Sequence, residues 1–139
     1  MTMDFSQTVA HLNWLAILIA PLAGFVIGGL WYGPLFGKAW MRATGITEAQ
    51  VRAQNKAKTY GGVFVLNLIA AASLAMFLGP APTWQFGLIA GLLTGLTFIS
   101  VALGVTYLFE SRPFTLFAIN AGYQTLLFAA MGTVLGAWR

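Results

Sequence analysis

The side chains able to do acid–base or metal chemistry are few: one histidine, His11, and three carboxylates, Asp4, Glu48 and Glu110, with no cysteine in 139 residues. A metal centre needs several such ligands converging on one point, and an activated nucleophile needs a base within hydrogen-bond reach. Here they are scattered through the chain. No P-loop, no dinucleotide-binding glycine motif after a strand and no HExxH is present. Of the charged groups only Glu110 and Arg112 fall together, in the stretch Glu110-Ser111-Arg112-Pro113. That spacing predicts a local ion pair anchoring a turn, with a gate or ligand clamp as the sharper alternative.

The remaining polar chemistry is neutral. Asn67, Thr94, Thr97, Ser100, Asn120, Tyr123, Gln124 and Thr125 all lie within long apolar stretches. Asn120 and Gln124 stand one helical turn apart, flanked by Tyr123, so they share a face. Together with Asn67, they suit either a hydrogen-bond network between helices or the lining of a small-molecule site. Amides and hydroxyls can satisfy one another, which favours the network.

These residues are positioned by apolar helices, and the distribution of charge marks where the helices run. Residues 5–37, 59–109 and 113–138 contain no Asp, Glu, Lys or Arg. The hydrocarbon core of a bilayer is roughly 30 Å thick and takes about 20 apolar residues per crossing helix. The three gaps therefore hold one, two and one spans, expected at about 13–32, 61–78, 84–109 and 114–137. A 59% hydrophobic and 7% charged composition, with a mean hydropathy of +0.81, supports the same reading. The expected fold is all-α: a single four-helix transmembrane domain over 1–139, with no separate soluble domain.

Punctuation agrees with these bounds. Gly79-Pro80-Ala81-Pro82-Thr83 predicts a turn between spans two and three, and Pro113 suits the first turn of span four. Pro21 predicts a kink or a loosened hydrogen bond in span one. That first stretch is expected to be a retained helix rather than a signal peptide. Its start carries Asp4 and no basic residue, and it ends in bulky side chains rather than a small-residue cleavage site. Trp14, Trp31, Tyr32, Trp40, Tyr60, Trp84 and Trp138 fall near span ends, as expected of an interfacial belt.

Lys38, Arg42, Arg52, Lys56 and Lys58, five of the seven basic residues, lie between spans one and two. Short basic loops stay cytoplasmic, so both termini are expected on the opposite side of the membrane, outside the cytoplasm. Within this loop Thr47 and Gln50 form a capping-box pattern, and Glu48, Arg52 and Lys56 recur every fourth residue. A short helix on the cytoplasmic surface follows. Its charges suit topology and solvation, with contact to anionic lipid as the functional alternative. The positive charge reads as membrane topology rather than nucleic-acid binding.

Gly87, Gly91 and Gly95 form a GxxxGxxxG run in span three, a face on which another helix backbone can approach closely. Gly24/Gly28, Gly29/Gly33 and Gly132/Gly136 repeat the spacing. The partner of such a face is either a helix of the same chain or a second copy.

Four segments carry a resemblance: Asn13-Trp14-Leu15-Ala16, the stretch from Gly29 to Trp40 that includes WYGPLFGKAW, Phe109-Glu110-Ser111-Arg112-Pro113, and Ile119-Asn120-Ala121-Gly122-Tyr123. Together they resemble the DUF1761 family of small bacterial membrane proteins of unknown function. The resemblance spans nearly the whole chain and implies a four-span inner-membrane protein, with no substrate, cofactor or site residue. The sequence thus favours a non-enzymatic protein acting through helix packing, without cofactor or metal, its partners being membrane lipid and either a second copy or another membrane protein. The alternative is a small transporter or binder of an uncharged lipophilic ligand.

Overall fold

A computed structural model of the chain describes residues 4–80 and 82–138. Ala81 in the expected turn and the basic Arg139 lie outside the described residues. The chain is helical, with no strand among the described residues. Four helices are long and apolar enough to cross a membrane: span 1 (Trp14–Leu35), span 2 (Lys56–Leu78), span 3 (Trp84–Phe109) and span 4 (Phe114–Ala137). At 1.5 Å per residue each exceeds the roughly 30 Å hydrocarbon core.

Polar caps set where the spans begin. Asn13 accepts from the amide of Ala16, and its own Nδ2 donates to the Trp138 carbonyl at 3.1 Å, tying the start of span 1 to the end of span 4. Asn55 caps span 2 through Lys58 N, and Thr83 caps span 3 through Phe86 N. Span 2 starts at Lys56 rather than near Gly61 because the Asn55 cap adds a turn that hydropathy alone does not reveal. The Lys56 and Lys58 ammonium groups can then reach the headgroup region from that turn.

Two spans are interrupted. In span 1 regular helix stops at Ile19 and resumes at Leu22, with Pro21 buried between. Pro21 has no N–H to give the preceding turn, and the amides of Ala23 and Gly24 bond three residues back instead, to Ala20 and Pro21. The same span ends in a π-helical turn, Trp31–Leu35, that contains Pro34. Span 3 carries a second π segment, Thr94–Ile99, where the Ser100 hydroxyl donates to the Gly95 carbonyl at 2.7 Å. Thr94, Thr97 and Thr125 each donate to the carbonyl four residues back in their own helix. Thr94 and Thr97 are thereby satisfied locally, whereas the Thr125 hydroxyl also meets that of Ser100 at 3.4 Å and joins span 4 to span 3.

Spans 3 and 4 form the tightest pair. A methyl group on Gly87 would overlap the carbonyl of Gly132, and one on Gly91 the carbonyl of Phe128. A methyl on Gly95 would stand 2.6 Å from the Cα of Thr125. Gly132 and Gly136 return the relationship, against Gly87 and Thr83. Backbones approach here because span 3 carries no Cβ at Gly87, Gly91 and Gly95 and span 4 none at Gly132 and Gly136, which gains dispersion contacts in lipid.

The apolar core is displaced toward one membrane face. Ala16, Ile17 and Ala20 of span 1 pack with Ala71, Leu74 and Leu78 of span 2 and with Leu127, Met131 and Leu135 of span 4. All belong to the halves of their spans remote from the 38–58 loop. In the nearer halves span 2 is exposed along residues 56–62 and only partly covered beyond, so the bundle is closed at one end and splayed at the other. The loop holds two short helices, Gly37–Thr44 and Glu48–Ala53. The first ends on Gly45 at φ +76°, a left-handed position that favours glycine. The second has the reciprocal Thr47/Gln50 capping box and an exposed Glu48–Arg52 ion pair at 3.0 Å.

Candidate functional site

The splayed half is organised by a latch between spans 1 and 4. The Trp31 indole donates to the Ile119 carbonyl at 2.8 Å, and the Tyr32 hydroxyl donates to Oδ1 of Asn120 at 2.6 Å. Asn120 Nδ2 donates onward to the Tyr107 hydroxyl at 2.8 Å, bringing in span 3. The Tyr123 hydroxyl donates to the Gly24 carbonyl at 3.1 Å, and its ring meets that of Tyr32 edge-on, 5.1 Å between centroids. Gly122 makes room for the indole, since a Cβ there would sit 2.8 Å from Trp31. The WYG and NAGY segments, far apart in sequence, are therefore one contact. The π turn at Trp31–Leu35 adds a residue to its helical turn and sets where Trp31 and Tyr32 sit on span 1.

Latching span 1 to span 4 while span 2 leans away leaves a cavity of about 790 Å³ among the three. Its volume falls within the roughly 300–1,000 Å³ usual for small-molecule sites. Gly24, Gly28 and Gly29 give span 1 a nearly side-chain-free wall. Tyr32 and Tyr123 form an aromatic wall, while Thr59 and Tyr60 stand at the end nearest the basic loop. Phe25 and Tyr60 bridge spans 1 and 2, with ring centroids 6.0 Å apart and an edge-on geometry. Asn67 and Gln124 complete the polar lining. A Cβ on Gly24 would lie 3.3 Å from both Asn67 Nδ2 and the Tyr123 hydroxyl, so these groups converge at the deep end.

The four residues singled out for a buried polar network or ligand site thus divide. Asn120 lies in the latch, with both ends of its amide engaged. Tyr123 serves the latch and the cavity. Asn67 and Gln124 line the cavity, and neither side chain hydrogen-bonds to another group among the described residues. Sharing one helix face does not place Asn120 and Gln124 in one environment, because Tyr32 covers the first and leaves the second open. Gly87, Gly91 and Gly95 lie outside the cavity, on the span 3 and 4 seam.

The titratable groups remain apart. His11 is exposed at the far membrane face, beside a recess of about 220 Å³ with Asp4, Gln7 and Met76 along its edge. Asp4 uses its carboxylate to cap the Ser6 amide. Glu110 and Arg112 approach to 3.9 Å across a turn in which Ser111 takes φ +55°, both half-exposed, and such a contact is worth at most about 1 kcal/mol. No group of three or more His, Cys, Asp or Glu side chains assembles among the described residues.

Sequence reasoning missed Trp31 and Tyr32, which it assigned to the interfacial belt, and the open wall at Gly28 and Gly29. The signal was available as two aromatic and amide clusters, WYG and NAGY, within the segments that carry the family resemblance. Compared with known proteins, residues 15–136 match the family model described as "Protein of unknown function (DUF1761)". No curated protein and no solved structure matches the chain.

Proposed function

We propose, for a chain that belongs to the DUF1761 family and inherits no assigned activity from it, that it takes a small uncharged ligand into the cavity between spans 1, 2 and 4, as a binder or carrier. The observation that carries this is the cavity itself, with Asn67 and Gln124 lining it at membrane depth and neither side chain hydrogen-bonded among the described residues. Polar side chains within a membrane are costly unless partnered, and they characteristically face a pathway or cavity. The basic loop supports placing the cavity's open end at the cytoplasmic face of an inner membrane, with both termini outside.

Gly29 offers the test. A Cβ there meets nothing within 4 Å, so Gly29→Leu adds bulk at the cavity wall with no clash at its first carbon. The probe is a ten-carbon alcohol bearing an aliphatic diazirine, photolysed with the protein in nanodiscs, and its adducts are mapped by peptide mass spectrometry. Saturable adducts on peptides 24–32, 59–67 and 123–124, lost in Gly29→Leu, support the reading. Adducts spread evenly over lipid-facing residues and unchanged by Gly29→Leu would refute it.

A second reading, assembly as a homo-oligomer or accessory subunit, draws support from span 2, where Leu66 and Phe77 are 67% and 85% exposed and much of the helix is left uncovered by the other described residues. The glycine run cannot serve that assembly in this fold, since span 4 occupies it. Native mass spectrometry from nanodiscs separates the outcomes, and a strictly monomeric species without a copurifying protein removes this reading.

A further inference from the structure

We infer that the cavity selects a neutral amphiphile whose polar head both donates and accepts hydrogen bonds, a carboxamide or a hydroxyl, on an apolar tail or ring. The inference rests on the cavity reading above and adds the class of molecule. A primary amide presents two donors and one acceptor, and two such groups, Asn67 and Gln124, face the space unbonded. A hydrocarbon leaves all of these unmet. A head with both functions can bond to each amide, and the Tyr32 and Tyr123 hydroxyls, whose protons are committed to Asn120 and to the Gly24 carbonyl, retain acceptor capacity beside them.

Charged heads fit poorly for two separate reasons. The lining contains no Asp, Glu, Lys or Arg, so a cation or anion at this depth would have no counter-charge. The end lined by Thr59 and Tyr60 adjoins the 38–58 loop, where Lys38, Arg42, Arg52, Lys56 and Lys58 stand with a single carboxylate, Glu48. The field of that loop repels cations before they reach the aromatic rings that would otherwise attract them. The glycine wall and the side chains of Phe25, Val63 and Leu66 are suited to a tail rather than to a second polar group.

The test is competition against the diazirine probe by ten-carbon compounds that differ only at the head: decanamide, 1-decanol, decane, decanoate and decyltrimethylammonium. Decanamide and 1-decanol are expected to displace the probe at concentrations about tenfold below decane, the scale of one net hydrogen bond. Decanoate and the ammonium compound should compete no better than decane. In Asn67→Leu/Gln124→Leu the tenfold advantage should vanish while competition by decane is unchanged. Equal competition by decanamide and decane in the unaltered protein overturns the head-group assignment but leaves the cavity reading intact. Absence of saturable labelling in the unaltered protein overturns the cavity reading itself. The comparison in the unaltered protein requires no variant to fold.

Discussion

Substituting Gly91 by alanine tests whether the seam between spans 3 and 4 sets the stability of the bundle. The added methyl carbon would lie 2.7 Å from the carbonyl carbon of Phe128 and 3.0 Å from the Cα of Ala129. Ordinary van der Waals contact begins at 3.4 Å and the carbonyl oxygen of Phe128 lies closer still, so the helices must part there by at least about 0.7 Å. A gap of that size forfeits a quarter to a half of each dispersion contact across it. About twenty atom pairs at roughly 0.1–0.2 kcal/mol each would then lose on the order of 1 kcal/mol. Strain from the carbonyl overlap brings the cost into the range of about 1–3 kcal/mol typical of overpacking. The overlap with the Phe128 carbonyl oxygen puts Gly91 in the upper part of that range, about 2–3 kcal/mol, and the roughly 1 kcal/mol that alanine recovers through its helix propensity leaves a net loss of about 1–2 kcal/mol. Gly29→Ala supplies the control, since its methyl meets nothing within 4 Å and its expected change is neutral or stabilising by up to about 1 kcal/mol. Reversible unfolding in mixed micelles, driven by SDS and followed by circular dichroism, reads both variants. The loss at Gly91 should not depend on protein concentration, because the seam lies within one chain. Equal stability of Gly91→Ala and the unaltered protein, or equal losses at both glycines, would refute the reasoning.

Tyr32→Phe removes the hydroxyl that donates to Asn120 and should cost about 0.6 kcal/mol and at most about 1.7, the mean and the maximum measured for hydrogen bonds between membrane helices. A double-mutant cycle with Asn120→Leu should give a coupling of at least about 0.5 kcal/mol, and strictly additive effects would argue against the latch. Because the chain has no cysteine, a single cysteine in place of the exposed Gln50 reports orientation directly. Membrane-impermeant maleimide should label it in inverted but not right-side-out vesicles, and the opposite pattern would reverse the topology. Glu48→Gln breaks an ion pair whose side chains are both 73% exposed, so unfolding should shift by less than about 0.5 kcal/mol. A larger shift would mean that the surface helix is anchored through this pair.

The four helices were legible because a bilayer imposes a length and a charge rule that twenty-odd residues satisfy or fail on their own. Gaps between charges marked where they run, and the Thr47/Gln50 pattern identified the surface helix because capping is a contact over three residues. Other features depend on approach between distant segments, which no local pattern encodes. The spacing of Gly87, Gly91 and Gly95 declared a close-packing face but not its partner, since the spacing is the same whether span 4 or another chain fills it. Asn120 and Gln124 shared a helical face yet separated, because their environments are set by Tyr32, almost ninety residues earlier. The Trp31 indole, read as an interfacial anchor, finds its acceptor on another span. The cavity was the least legible of all, because a void is produced by what neighbouring helices fail to cover.

The neutral lining of the cavity has a consequence for energetics across the membrane. Moving one elementary charge through 100 mV is worth about 2.3 kcal/mol, and voltage-driven carriers and sensors draw on that work through charged side chains or cargo. Here neither the lining residues nor a neutral amphiphile carries charge through the field. On the proposed reading, occupancy of the site is therefore blind to membrane voltage, and a polarised cell has no electrical means of concentrating such a ligand through it. Any net movement would follow the ligand's own gradient, and collapsing the potential with an ionophore should leave it unchanged.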